Sequence, residues 1–202
     1  MIFTERERRL MADAEFFPLK AAATDKVKAA LLQLRDKLKA ELAAARLPAP
    51  EGADLERGQL VKGEHLLDFP YQYLDFPKCF SQGDMLTFRT LFWWGHHVTF
   101  ALMLGGRELA RYKANLLARY DDLADHDLHL LMTQTPWEWR RGADYLLPLL
   151  RGNRERVAAA LADRPFLKIH RILDFEHPAL KDGTFAAEGR TVFRLMARIA
   201  EP

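Results

Sequence analysis

The chain has 202 residues, of which 49% are hydrophobic, and its 30 basic and 28 acidic residues give a formal net charge of +2. This length and composition suit one domain with a sizeable core. The balanced charge excludes the concentrated basic surface that nucleic-acid binding requires, so we predict no nucleic-acid partner. A single cysteine, Cys79, excludes an internal disulfide, and the charged N-terminal residues do not form a secretion signal. We therefore expect a cytoplasmic protein.

The N-terminal residues predict two helices. Thr4 and Glu7 have the spacing of a capping box, which predicts a first helix that stops at Pro18. Apolar residues then recur at three- and four-residue steps, which predicts a longer helix from Thr24 or Asp25 to Pro48. Segment 47–58, rich in Pro, Gly and Ala, is typical of a surface connection. We expect a single α+β domain over residues 1–202, with a helical part at 1–47 and a sheet-containing core at 59–202.

Strands are predicted after this connection. Residues 60–63 and 71–76 have the composition of short strands, and residues 84–106 are dense in Phe, Trp, Thr and Val around Gly95. A membrane-spanning helix is the alternative for 84–106. It fails because Arg89, His96 and His97 interrupt a span that needs about 20 almost uncharged residues. We predict a central hairpin and no membrane partner.

The faces of this hairpin depend on its turn. A two-residue turn at Gly95 and His96 would pair Trp94 with His97 and Leu91 with Phe100. One face would then be core: Leu91, Trp93, Val98, Phe100, Leu102 and Leu104. The other would hold Phe88, Thr90, Phe92, Trp94, His97, Thr99, Ala101 and Met103. That second face is too apolar for water, so helices of the chain, a partner subunit or a bound ligand must cover it.

The remaining residues alternate between helical and strand patterns. Helices are predicted at 109–123, just after Asn153, and at 188–199, with strands at 127–132 and 166–173. Helices at both ends and strands between them predict an α+β fold. We expect an antiparallel sheet with a central hairpin, packed by N-terminal and C-terminal helices.

Polar and aromatic side chains before the hairpin indicate a pocket. Strand alternation places Tyr71, Tyr73 and Asp75 on one side, and tyrosines suit pocket walls because they combine apolar area with a polar tip. Arg89, in the next strand, is expected to form a buried ion pair with Asp75. The predicted ligand-binding residues are Glu64, Tyr71, Tyr73, Arg89, Trp94 and His97. We expect Trp93 in the core, and Trp94 and His97 beside a concavity that Tyr71 or Tyr73 also reaches.

Two further groups have chemical potential. Residues 125–129, Asp-His-Asp-Leu-His, offer carboxylate and imidazole ligands that suit zinc, manganese or iron, and in a strand three of them would share a face. No second cluster completes such a site, so we predict a solvated connection there, no bound metal and no cofactor. Trp137, Trp139, Arg140 and Arg141 are typical either of an interface or of packing against the sheet.

Part of the chain resembles a known group of proteins. The run GEHLLDFPYQYLDFPKCF at residues 63–80, followed by FRTLFWWG at 88–95, is similar to a bacterial family of uncharacterised proteins. The resemblance covers roughly residues 63–106 and implies no activity. His65 departs from the amide of the family pattern, and Phe76-Pro77-Lys78 departs from its Tyr-Pro-Arg. His96 and His97 lie outside the pattern.

These patterns leave two classes of function open. The favoured hypothesis is binding, either of a small molecule beside the hairpin or of a second copy in a homodimer. The alternative is a metal- or histidine-dependent hydrolase built on His97 or on residues 125–129. The sequence does not decide whether the protein is an enzyme.

Overall fold

The computed structural model of the protein describes residues 1–45, 49–81 and 83–201. Its helices are α1 (Glu5–Met11), α2 (Phe16–Ala45), α3 (Leu109–Ala118), α4 (Tyr120–Leu123), α5 (Arg154–Leu161), α6 (Pro178–Lys181) and α7 (Phe185–Ala197). Its strands are β1 (Gln59–Leu66), β2 (Phe69–Ser81), β3 (Asp84–Trp93), β4 (His97–Gly105), β5 (Leu128–Leu131), β6 (Leu146–Pro148) and β7 (Phe166–Leu173). A 3₁₀ turn, Arg151–Asn153, precedes α5.

The described strands form one antiparallel sheet in the order β1-β2-β3-β4-β7-β5-β6. The first four strands follow one another as a meander. The last strand, β7, then inserts between β4 and β5, so residues from the C-terminal third lie beside the central hairpin. The prediction of an α+β fold with an antiparallel sheet between N-terminal and C-terminal helices is confirmed.

One face of the sheet packs against helices and forms the main core. Leu31, Leu34 and Leu38 of α2 are fully buried there. Helix α7 approaches closely because Gly189 has no side chain, and a Cβ at this position would lie 2.7 Å from Leu34 and 2.8 Å from Phe100. This helix-covered face includes Leu86, Phe88, Phe92, Val98, Phe100 and Leu102 of the central hairpin.

The predicted register of this hairpin is wrong by one residue. Trp93, not Trp94, pairs with His97, and Leu91 pairs with Thr99. The turn contains three residues, Trp94, Gly95 and His96, of which Gly95 has φ of +73°. One extra turn residue moves every β3 side chain to the opposite face relative to β4, because strand side chains alternate with a period of two.

The N-terminal helices begin and end at other residues than expected. The capping box of α1 is present: Thr4 Oγ1 accepts a hydrogen bond from the backbone N–H of Glu7, whose carboxylate accepts one from the N–H of Thr4. Pro18 does not end this helix but lies in the first turn of α2, where its missing N–H costs nothing. Asp13 Oδ1 accepts from the N–H groups of Glu15 and Phe16 at this start. The predicted stop at Pro48 lies outside the described residues.

The C-terminal predictions hold for most elements. The strand at 166–173 and the helix after Asn153 are present, and the helix predicted at 109–123 is divided into α3 and α4 at Arg119. Helix α7 begins three residues before the predicted start. No helix in the described ranges is both long enough and apolar enough to cross a membrane.

Candidate functional site

The other sheet face is covered by a loop instead of helices. Segment 132–145, which connects β5 to β6, places Trp137 and Trp139 over strands β2, β3, β4 and β7. We call this side the loop-covered face. Its apolar cluster contains Leu91, Trp93, Ala101, Met103 and Trp139, with Leu66, Tyr71, Tyr73 and Met85 at its margin. Several charged and titratable side chains are buried between these residues.

A buried ion pair lies at the centre of this face. Arg89 donates hydrogen bonds from Nε and Nη2 to the two carboxylate oxygens of Asp75, both at 2.6 Å. Their side chains are 9% and 1% exposed. The two residues are direct cross-strand partners on β2 and β3, so sheet pairing itself places them together. The expected Arg89–Asp75 pair is confirmed.

Aromatic rings surround the guanidinium of Arg89. Its Cζ atom lies 3.8 Å from the Tyr73 ring centroid, and 5.3 Å and 5.4 Å from those of Trp137 and Trp139. Burial raises the pKa of the Tyr73 hydroxyl, an effect that nearby Arg89 opposes. The ion pair with Asp75 uses only two of the five N–H donors of the arginine. The edge that carries Nη1 has no hydrogen-bond partner among the residues that the structure describes.

Lys168 is a second buried basic side chain on this face. The side chain is fully buried on β7, and Nζ donates to the carbonyl oxygens of Pro136 and Glu138 at 2.7 and 2.8 Å. Nζ also lies 3.2 Å from the centroid of the Trp139 ring. Burial, and then repulsion by Arg89, lowers the pKa of Lys168 well below its ordinary value. Lys168 therefore fastens the covering loop to the sheet through two buried hydrogen bonds.

Arg89 and the aromatic rings around it line an open concavity of about 340 Å³ beside the covering loop. We call it the arginine concavity. It is lined by Leu66, Tyr71, Tyr73, Arg89, Leu91, Trp137 and Trp139. A volume of this size is at the small end of the range of about 300–1,000 Å³ found for ligand pockets, and a few polar groups in apolar walls are typical of such pockets.

The structure brings together only part of the predicted ligand-binding set. Tyr71, Tyr73 and Arg89 line the arginine concavity, whereas Glu64 lies on β1 in an ion pair with Lys20 at 2.6 Å. Trp94 lines a different concavity, of about 400 Å³, with Ala23, Val27, Phe92, Gly95, Phe175 and Leu180. The expectation that Trp94 and His97 border one concavity with Tyr71 or Tyr73 is wrong, because the three-residue turn separates these side chains.

His97 is a buried histidine beside Trp93, not part of an open cleft. The side chain is 1% exposed, and neither ring nitrogen has a hydrogen-bond partner among the described residues. Burial, reinforced by Arg141 and His96, lowers the pKa of His97 from 6.5 to about 4. Trp93 is fully buried, as expected, and donates from Nε1 to the carbonyl oxygen of Leu66. His97 therefore has the environment of a neutral core residue.

The cluster at residues 125–129 does not form a shared face. Asp125 and Asp127 have positive φ in the loop before β5 and form ion pairs with Arg151 and Arg171. Of the four metal-capable side chains in this range, only His129 lies in the strand, opposite His170 of β7. Across residues 1–45, 49–81 and 83–201, no group of three or more His, Cys, Asp or Glu side chains is arranged to hold a metal ion. These positions give the hydrolase alternative no support.

A larger concavity of about 460 Å³ lies near the start of α3, but its charges are already paired. Asp84 accepts hydrogen bonds from Nε and Nη2 of Arg107, at 3.0 and 2.8 Å, and Glu108 accepts from Arg111 at 2.8 Å. Few groups there are free to recognise a charged ligand.

Sequence reasoning missed two lining or supporting residues of the arginine concavity. Leu66 belongs to β1, and nothing in the sequence pattern around it indicates a pocket residue. Lys168 was missed as well, although a lysine among the apolar residues of β7 was a visible exception to the pattern. Trp137 and Trp139 were recognised as notable, and the structure places both against the sheet.

Comparison of the chain with protein-family models, with curated proteins and with solved structures gave no match.

Proposed function

We propose that this protein binds a small organic molecule in the arginine concavity. The observation that supports this most is a guanidinium that lines an aromatic concavity, is held by two hydrogen bonds to Asp75, and has further N–H donors on the side of Nη1. Fixed polar groups within apolar walls orient a ligand, and a pre-organised donor loses little entropy on binding. The cytoplasmic location expected from the sequence stays part of this proposal.

The exposure of Trp137 distinguishes this place from ordinary core. Its side chain is 50% exposed, although it lies over Arg89 and beside Phe80, with ring centroids 5.9 Å apart. Large aromatic side chains near a concavity contribute much of the contact area that a flat ligand can use. Trp137 belongs to the covering loop and not to a strand, so its substitution removes no hydrogen bond of the sheet.

A thermal-shift screen of a metabolite collection tests this function. A ligand that binds the folded state raises the melting temperature of the wild-type protein. Trp137→Ala is expected to keep the fold, because the residue is half exposed, and to lose the response. Phe175→Ala is a matched control: Phe175 is 41% exposed and lines the separate concavity at Trp94. We expect this control to respond as the wild type does.

Two results would contradict the proposal. The first is a screen in which no compound stabilises the wild-type protein. The second is a response that Phe175→Ala removes and Trp137→Ala leaves intact, because the ligand would then occupy the concavity at Trp94.

Self-association is a second candidate function, and one observation favours it. Among the residues described, large apolar side chains that are exposed concentrate in the first nineteen positions: Met1, Ile2, Phe3, Leu10, Met11, Phe16, Phe17 and Leu19. Helix α1 has no buried residue. Clusters of exposed apolar side chains often mark interaction surfaces, so this N-terminal arm is a place where a second copy could bind.

A further inference from the structure

We infer that the ligand of the arginine concavity is a small, flat carboxylate, whose anionic group binds the free edge of Arg89 and whose body stacks on the aromatic walls. This inference rests on the proposed function and names its ligand class. Two independent observations support it: the hydrogen-bonding state of Arg89, and the balance of charge on the loop-covered face.

The hydrogen-bonding state of Arg89 favours an anionic partner. An arginine fork recognises planar carboxylates because its N–H groups lie in one plane with matching spacing. Asp75 occupies the Nε–Nη2 side at 2.6 Å for both bonds, which leaves the side with Nη1 without a partner among described residues. The arginine side chain is only 9% exposed, and it lines the open concavity, where a ligand can reach it. An anionic acceptor supplied by the ligand would form a charge-assisted hydrogen bond with this donor, which is stronger than a hydrogen bond between neutral groups.

The charge balance points in the same direction. Arg89 and Lys168 both face the Trp139 ring, at 5.4 Å and 3.2 Å from its centroid. Only one carboxylate, Asp75, forms an ion pair with either of them in the described part of the chain. Glu138 also lies nearby, but hydrogen bonds from Arg140 hold its carboxylate and lower its pKa to about 2. When Lys168 is protonated, this side of the sheet therefore carries an excess positive charge that an anion would balance.

The walls define the rest of the ligand. The rings of Tyr71 and Tyr73 are stacked at an interplanar angle of 5° with centroids 6.1 Å apart, and they form one side of the concavity. Trp137, which is half exposed, also lines the concavity. Parallel rings favour flat aromatic or conjugated bodies, which stack at offset geometry. The volume of about 340 Å³ limits the body to one or two fused rings.

Matched acids and amides test the ligand class on the wild-type protein. The probes are benzoate and 2-naphthoate, each compared with its primary amide, which has the same shape without the charge. We expect each acid to bind at least about tenfold more tightly than its amide, as measured by calorimetric titration, because charge-assisted hydrogen bonds to arginine are the stronger kind. Equal affinity of acid and amide, or no binding by any of the four, would overturn the inference.

Variants then locate the anionic contact. Arg89→Lys keeps a positive charge but loses the planar fork, and we expect it to reduce the preference for acid over amide by about tenfold. Lys168→Met retains Arg89 and should lower the ratio of acid to amide affinity. The ratio is the quantity compared, because Lys168 also holds the covering loop through Pro136 and Glu138 and its loss affects the binding of both probes. If Arg89→Lys fails to fold, the ratio of acid affinity to amide affinity in the wild type and in Lys168→Met still tests the carboxylate inference. A Lys168→Met protein with an unchanged ratio, in the absence of a folded Arg89→Lys protein, would contradict the inference.

Different experimental results would contradict the carboxylate inference and the proposed binding function. Amides or other neutral compounds that bind, and whose binding Trp137→Ala abolishes, would overturn the carboxylate inference and support a ligand site in the arginine concavity. A complete absence of stabilising compounds in the broader screen would remove the function itself.

Discussion

Arg89 stabilises the sheet through its ion pair with Asp75, and the same ion pair prepares its guanidinium to bind a ligand. Its pairing with Asp75 compensates the charge that burial would otherwise penalise, and loss of one partner of such a pair typically costs about 3–5 kcal/mol. The same pairing fixes the plane of the guanidinium against Tyr73. A mobile arginine would lose side-chain entropy when it binds a ligand, whereas this one is already ordered.

Two buried histidines on the loop-covered face make the free energy of unfolding depend on pH. His97 and His170 are both about 1% exposed, and burial lowers the pKa of each. The imidazole of His170 lies within hydrogen-bonding distance, 3.3 Å, of the Thr99 hydroxyl. A histidine whose folded-state pKa is below its unfolded value takes up a proton when the chain unfolds at acidic pH.

For His97 the pH window follows from its pKa of about 4 in the folded protein and 6.5 as the ordinary value. Between these values the unfolded chain binds more protons, so the free energy of unfolding decreases as the pH falls from 6.5 towards 4. The expected loss is roughly 3 kcal/mol. His97→Phe, which keeps a ring beside Trp93, should flatten part of this decrease in urea titrations across the window. The rest of the decrease should remain, because burial also lowers the pKa of His170, which this substitution leaves in place.

The exposed residue His65 provides the control for this measurement. His65→Phe should leave the pH profile of stability as it is in the wild type. Profiles of wild type and His97→Phe that coincide between pH 4 and 6.5 would show that His97 does not cause the acid sensitivity.

At the scale of elements, the pairing of β1 with β2 builds one wall of the arginine concavity. Gly63 lies directly opposite Tyr71, and the Tyr71 ring covers the glycine backbone. A side chain at Gly63 would overlap the ring carbons and the hydroxyl of this tyrosine. The small residue therefore positions Tyr71, and through it the stacked pair with Tyr73.

Gly63→Ala is expected to displace the Tyr71 ring. Overpacking of this kind typically costs about 1–3 kcal/mol, which exceeds the gain of about 0.5–1 kcal/mol from replacing a flexible glycine in a strand. Urea denaturation should show the loss of stability, and near-ultraviolet circular dichroism should show the altered tyrosine environment. Gly152→Ala is the matched control, since a Cβ added at Gly152 would meet no atom within 4 Å and the φ of this residue is not positive. Equal effects of the two substitutions would contradict the proposed contact.

At the scale of the whole molecule, the two sheet faces are covered differently. Helices α2 and α7 close one face with a large apolar cluster, whereas a single loop closes the other and leaves the arginine concavity at its edge. The N-terminal arm adds a third feature, because its apolar side chains contact little else in the described structure. Ligand binding and self-association would thus use separate parts of the molecule.

If the N-terminal arm mediates self-association, the protein should show a concentration-dependent increase in sedimentation coefficient. The double substitution Leu10→Ser and Met11→Ser should abolish it, because these side chains are 52% and 54% exposed and contribute apolar area that a partner would bury. Neither substitution opens a core cavity, so the monomer should remain folded.

Leu67→Ser serves as the control for the double substitution. Leu67 is 57% exposed in the turn between β1 and β2, away from the helical arm in sequence. A wild-type protein that stays monomeric at every concentration would exclude the arm as a dimer interface. Equal loss of association in the Leu67→Ser protein would do the same.

The sequence by itself determined the kind of fold and one central interaction. Periodicity predicts most helices and strands, since a buried stripe needs apolar residues at fixed intervals whatever it packs against. The Arg89–Asp75 pair also follows from local chemistry, because a charge within an apolar strand needs a partner and the preceding strand offers a carboxylate. Tyr71, Tyr73 and Arg89 were therefore correctly expected to lie together.

Only the tertiary structure decided which residues share the concavity. The turn at Gly95 accommodates three residues instead of two, and this difference transfers Trp93 to the side of His97 and moves Trp94 away. The insertion of β7 beside β4 brings in Lys168, and the fold of segment 132–145 brings in Trp137 and Trp139. These contacts join residues distant in the chain, and their register depends on the packing of the whole sheet, which no local pattern encodes.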